Sequence, residues 1–155
     1  EILLVDSDSK KSKYSKIFDI NFKNKIPNNY KANIIYECSG NANILNSLSK
    51  HVKEEATICI LSWYGNNVSK VKFGEEFLSK RIKLIFSQVS KVSQNRNKYW
   101  DNVQRRELAI SMLNDDRLDN LIERKMIKFN ELPVFFSQIK KEQGFFCKVV
   151  DYGDN

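Results

Sequence analysis

Four short stretches carry the residue types that could hold a ligand: Asp6-Ser7, Cys38-Ser39-Gly40, Ser62-Trp63 and Phe86-Ser87-Gln88. Each follows an apolar run. Short apolar runs of this kind read as strands of a parallel sheet. Open parallel sheets take their ligands at the carboxyl ends of the strands. Small polar residues and a glycine there let a flat ligand lie against the backbone. Asp6 is the sharpest of the set. It ends the run Ile2-Leu3-Leu4-Val5, which reads as buried on both faces. A carboxylate at that place can accept two hydrogen bonds from a ribose diol and repels a 2′-phosphate, which favours NAD over NADP. The plainer alternative is that Asp6 only caps the turn Ser7-Asp8-Ser9, ahead of a lysine-rich helix.

Other chemistries lack their residues. No two carboxylates are placed for acid–base work, and no Ser-His-Asp set is visible. All five glycines lie at or after Gly40, so the dinucleotide fingerprint G-x-G-x-x-G is absent. Cys38, Cys59 and Cys147 are far apart, and His51 is the sole histidine. A closed zinc site needs four ligands at short spacings, which this pattern does not supply. Scattered cysteines with apolar neighbours suit reduced thiols in a cytoplasmic protein. His51, near a helix end and without a partner acid, reads as a surface or packing residue.

The chain has 155 residues, 41% of them hydrophobic, enough for a real core. No apolar run approaches the roughly 20 residues of a membrane span. The formal net charge is +7, but the lysines are scattered from Lys10 to Lys148 without aromatic interleaving. Unclustered charge is a poor footprint for nucleic acid. The chain opens on Glu1, directly before a strand, so no signal peptide is expected and a piece of something longer is.

The elements that must position the four stretches follow from periodicity. Residues 9–19 place Tyr14, Ile17 and Phe18 at helical spacing, and 21–31 read as a polar loop. Residues 33–40 read as a second strand, and 41–52 as a helix with Ile44, Leu45 and Leu48 on one face. Residues 57–63 form a continuous apolar run, hence a central strand. Residues 82–89 alternate, as an edge strand does. Residues 90–98 read as a linker and 99–114 as a helix striped by Leu108, Ala109, Met112 and Leu113. Asn130 should cap a helix with Pro133 in its first turn and the face Leu132, Phe135, Phe136 and Ile139. Gly144 should end it, and 145–152 should be the last strand. Alternating strands and helices mean an α/β fold with a mostly parallel sheet.

Read together, the stretches ILLVDSDSKK, NIIYECSGNANILNSLSKHV, ATICILSWYG, RIKLIFSQVS, WDNVQRRELAISML, LDNLIERK, FNELPVFFSQI and FCKVVDYG resemble, in order and spacing, the C-terminal half of a medium-chain, zinc-type alcohol dehydrogenase. The resemblance implies a Rossmann-like domain over residues 1–89 that lacks its first strand and glycine-rich turn. It also implies an α+β segment over residues 90–155 that returns to the catalytic domain. The implied partner is NAD, ahead of NADP. Asp6 then matches the acid on the adenosine ribose, and Lys11 a basic residue that helps there. Cys38, Ser39 and Gly40 match the turn beside the cofactor's middle. Ser62 and Trp63 match the backbone at the nicotinamide, and Phe86 and Ser87 the end that holds its carboxamide. Lys148 matches a basic position near the pyrophosphate, acting as a point charge.

The implied reaction is hydride transfer between NAD and an alcohol or carbonyl, with the isolated chain inactive. The family's zinc ligands lie in a domain outside this sequence, so zinc belongs to the parent protein if anywhere. The loop 21–31 is shorter than the family's usual segment, so a helix and part of a strand are expected to be missing. A homodimer through the edge strand 82–89 is a further expectation. Two rivals stand beside this reading. One is a non-catalytic regulatory or assembly module on the same fold. The other is a receiver-like signalling domain suggested by ILLVDSD, whose later strand ends offer Cys38 and Ser62 where a phospho-accepting aspartate would be needed.

Overall fold

The computed structural model describes residues 1–139 and 147–153. The chain divides into two compact units, Ile26–Asn102 and the pair of segments Glu1–Lys25 and Val103–Asn155. Every strand pairing among the described residues is parallel, as the alternation of strands and helices requires.

The Ile26–Asn102 unit is a three-stranded sheet with helical turns packed on one face. Its strands are β3 (Ala32–Glu37), β4 (Val52–Ile60) and β5 (Lys83–Phe86), in the order β3-β4-β5. β4 is central because its sequence is apolar at successive positions, and Ile58 is fully buried. It starts at Val52, earlier than the apolar run, and ends at Ile60, before Ser62 and Trp63. Three residues slip into β4 between the pairs Ala32/Val52 and Ile34/Thr57. Glu55 turns to a φ of 55° within that slip.

The connection from β3 to β4 is a run of one-turn segments: Ala42–Ile44, α2 (Leu45–Leu48) and Ser49–His51. Asn41 starts it, its side chain accepting the Asn43 N–H at 3.1 Å, as a good N-cap does. Leu45 and Leu48 from this run meet Val52, Ala56, Ile58 and Ile60 from β4 and Phe77 from the wide turn Phe73–Phe77. These residues form the core, with Ile35, Ile82 and Leu84 against it. Ile82 and Leu84 face it as their alternation predicts, but Phe86 does not: it is 67% exposed. β5 lies at the sheet's edge, as expected.

In the other unit, β1 (Leu3–Val5) pairs with β2 (Asn21–Lys23), and α1 (Ser12–Ile17) joins them. β2 corrects the reading of residues 21–31 as loop throughout. Nor is β1 buried on both faces, because Leu4 and Val5 are exposed. A two-stranded ribbon has too little cover for that. Tyr14 and Ser15 of α1 are buried, and Arg117 lies over the Phe18 ring at 5.2 Å.

Farther along come α3 (Asn102–Met112), a 3-10 run Asp116–Leu121, β6 (Ile127–Lys128), α4 (Leu132–Gln138) and β7 (Val150–Asp151). β6 and β7 pair, and Ile122 bridges to Cys147. α3 has no buried residue, so the stripe of Leu108, Met112 and Leu113 is open to solvent. Pro133 does lie in the first turn of α4. Asn130 is inside the preceding turn and not its cap; there the Glu131 carboxylate accepts the Lys128 N–H at 3.3 Å. On the α4 face Leu132, Phe135 and Ile139 are half-buried while Phe136 is exposed. Gly144 and the first residues of the expected last strand fall outside the described residues. No helix among the described residues is long and apolar enough to cross a membrane.

Candidate functional site

The structure brings five of the ten expected residues to the tips of β3 and β4, and two more to the tip of β5. β3 runs into Cys38-Ser39-Gly40, where Gly40 takes a φ of 72°. That left-handed conformation suits glycine. A Cβ at Gly40 would meet no heavy atom within 4 Å, so the tip faces open space. The Ser62 hydroxyl accepts the Gly40 N–H at 2.8 Å and donates to the Glu37 carbonyl at 3.4 Å. The Leu61 N–H donates to that same carbonyl at 2.9 Å. The Ser87 N–H donates to the Ile60 carbonyl at 2.9 Å and carries the ladder to the third tip. Trp63, after β4, is 84% exposed, and Phe86 is exposed as well.

Two residues at this end were missed by the sequence reading. Glu37 is buried, at 3% exposure. Its Oε1 accepts the Ser39 N–H at 2.5 Å and the Ser39 hydroxyl, and its Oε2 accepts the Tyr64 hydroxyl at 2.5 Å. Burial pushes its carboxyl up, but the hydrogen bonds from Ser39 and Tyr64 outweigh this and hold it below the usual range. Tyr64 is pushed well above its ordinary value, first by burial and then by the carboxylate. One signal was present. Glu37 shares the inward face of its strand with Ile35, two positions earlier, where an acid needs partners.

Asp6, Lys11 and Lys148 lie in the other unit. Asp6 follows β1, and its Oδ1 accepts the Asp8 N–H at 2.9 Å. Its Oδ2 accepts from the Lys11 ammonium at 2.9 Å. Partial burial raises the Asp6 carboxyl, and the bonds from Lys11 and Asp8 bring it below its ordinary value. Asp8, not Asp6, caps the following turn, accepting the Lys10 N–H at 3.0 Å. The bland capping reading of Asp6 is therefore incomplete: its carboxylate is held by a cation. Lys148 precedes β7 and stands 3.9 Å from Glu123, whose carboxylate also meets Lys13 at 3.5 Å and the Tyr14 hydroxyl at 3.2 Å.

An all-parallel sheet with small polar residues at its tips is common to many nucleotide-binding folds, and comparison with solved structures narrows this. The 2R,3R-butanediol dehydrogenase of Bacillus subtilis superposes with a TM-score of 0.70 at 12% identity, over 98% of this chain and 44% of that one. An alcohol dehydrogenase from E. coli CFT073, solved with NADH, gives 0.65 at 14% identity, over 97% and 43%. S. aureus TarJ in complex with NADPH gives 0.65 at 21% identity, over 93% and 45%. The fold is that of a part of these alcohol dehydrogenase structures. The α/β, Rossmann-like expectation and the dehydrogenase resemblance both hold at this level. The chain spans less than half the length of these three structures. No protein-family model and no curated protein matches it.

In the Ile26–Asn102 unit the tip at Gly40 faces open space; in the other unit the Asp6 carboxylate pairs with Lys11 after β1. Among the described residues there is no group of three or more His, Cys, Asp or Glu side chains that could hold a metal ion.

Proposed function

We propose that this chain is the cofactor-binding part of a nicotinamide-dependent dehydrogenase acting on an alcohol or carbonyl. The observation that carries the reading is the set of parallel tips. Cys38-Ser39-Gly40, Ser62-Trp63 and Phe86-Ser87 end three adjacent strands, with open space at Gly40. In this reading residues 1–89 belong to the nucleotide-binding domain and 90–155 to the segment that rejoins a catalytic domain. Zinc, where the parent protein uses it, is held by other residues.

The nicotinamide supplies the hydride chemistry, and the chain's own residues bind and orient. Asp6 receives the adenosine ribose diol, with Lys11 beside it as a compensating charge. Ser39 and Gly40 border the middle of the cofactor. The Gly40 N–H is spent on Ser62, and the Ser62 hydroxyl hydrogen on the Glu37 carbonyl, so neither of these donors is offered to the ligand. The backbone at Ser62 and Trp63 borders the nicotinamide, and that at Phe86 and Ser87 its carboxamide. Lys148 supplies a point charge toward the pyrophosphate, in competition with its pairing to Glu123. Asp6 makes NAD the preferred cofactor. A cytoplasmic homodimer joined through residues 82–89 suits the position of β5 at a sheet edge. The isolated chain binds cofactor without turnover.

Titration of the purified chain with NADH, followed by nicotinamide fluorescence, tests this. Saturable binding that Gly40→Val weakens supports it. No binding of NADH or NADPH refutes it.

A further inference from the structure

We propose that Glu37 and Tyr64 form a buried latch that fixes the strand tips at 38–40 and 61–63 and thereby sets the affinity for the dinucleotide. The inference rests on the dinucleotide reading above. Glu37 is the one buried acid among the described residues. Burying a carboxylate is costly, and an apolar side chain in its place would serve stability as well or better. Glu37 pairs with Ile60 across the sheet, two positions on from the pair Ile35 and Ile58, an apolar setting that would accept one. Something other than stability accounts for an acid here.

Its bonds show what that is. The donors to its carboxylate are Ser39, in the turn after β3, and Tyr64, at the start of the turn after β4. Its own carbonyl receives the Leu61 N–H and the Ser62 hydroxyl. One residue therefore ties both tips, through side chain and backbone together. All the donors are neutral, so the ionised carboxylate keeps its charge while it orients them. The titratable groups facing it are Tyr64 and Cys38. The Cys38 thiol is pushed up by loss of solvent and then by the Glu37 charge. Neither competes for the proton near neutral pH. Glu37 is a positioning residue: it reaches the ligand only through the backbone of residues 38–40 and 61–63.

Three variants test the latch, each followed by NADH titration between pH 4 and 8 and by amide hydrogen exchange at Ser39 and Gly40. Tyr64→Phe removes one hydroxyl and keeps the ring in the core. It is expected to weaken NADH about tenfold, the scale of a lost bond to a charged group. It should also speed exchange at Ser39. Because the lost bond favoured the ionised carboxylate, the acid limb of NADH binding should move to higher pH. Glu37→Gln should weaken binding at neutral pH and abolish that limb; should it not fold, Tyr64→Phe carries the test alone. Phe77→Leu, which loosens the core away from the tips, should change none of the three readouts. NADH binding in Tyr64→Phe with wild-type affinity and acid limb would overturn the latch and leave the dinucleotide reading standing. A wild-type chain that binds neither NADH nor NADPH would overturn both.

Discussion

The charge after β1 makes the most exacting prediction. Asp6→Asn keeps an oxygen for the Asp8 N–H and removes the negative charge. A bare carboxylate 4 Å from a phosphate charge is disfavoured by about 4 kcal/mol at the dielectric of a protein surface. Asp6 is not bare. The Lys11 ammonium lies 2.9 Å away, and the Asp6 side chain is 32% exposed, so solvent and the neighbouring cation screen most of that repulsion. The remaining penalty on a 2′-phosphate is about 1–2 kcal/mol. Removing the charge also frees Lys11 to meet the phosphate. Asp6→Asn should therefore raise NADPH affinity relative to NADH by about five- to thirtyfold. The wild-type discrimination should narrow in 1 M salt, where the screening length falls to about 3 Å. Fluorescence titrations with both cofactors, at low and high salt, read both effects. An unchanged NADH/NADPH ratio, or an equal loss for both cofactors, would show that Asp6 does not meet the ribose.

Three further outcomes follow from the core and the tips. Ile58→Ala opens a cavity at a fully buried position of the central strand and should cost about 2–5 kcal/mol in urea unfolding; a loss under 1 kcal/mol would contradict the assigned core. Gly40→Ala meets no neighbouring atom but must hold a φ of 72°, so it should cost about 1–2 kcal/mol, and Gly40→Asn less; equal costs would mean that φ is not the reason. Glu37 has its carboxyl depressed below the ordinary value of 4.5. Its contribution to stability should be complete above that pH and should fade as pH falls through the lower folded value. Thermal melts should show this acid loss in the wild type and less of it in Glu37→Gln.

The parts legible in sequence were those with one dominant signal. The run Thr57-Ile58-Cys59-Ile60 is apolar at consecutive positions, and it is the central strand. The polar tips after the strands were legible because parallel sheets leave those ends to function. What escaped was set by tertiary partners. Asn21-Phe22-Lys23 has a polar-apolar-polar pattern too short to stand out, and only β1 beside it makes it a strand. The apolar stripe of α3 looked like a core face, yet it carries no buried residue. Glu37 looked like one more polar position in a strand. Its importance lies in a hydrogen bond to Tyr64, 27 residues away, and no local pattern announces such a bond.

The claim that the tips of β3, β4 and β5 take the dinucleotide is tested most directly by NMR, following backbone amides as NADH is added to the isotope-labelled chain. Saturable shifts are predicted at Ser39, Gly40, Trp63 and Ser87, with little change at Lys53 and Glu54, early in β4. Shifts confined to residues away from those tips, or none at saturating NADH, would contradict it.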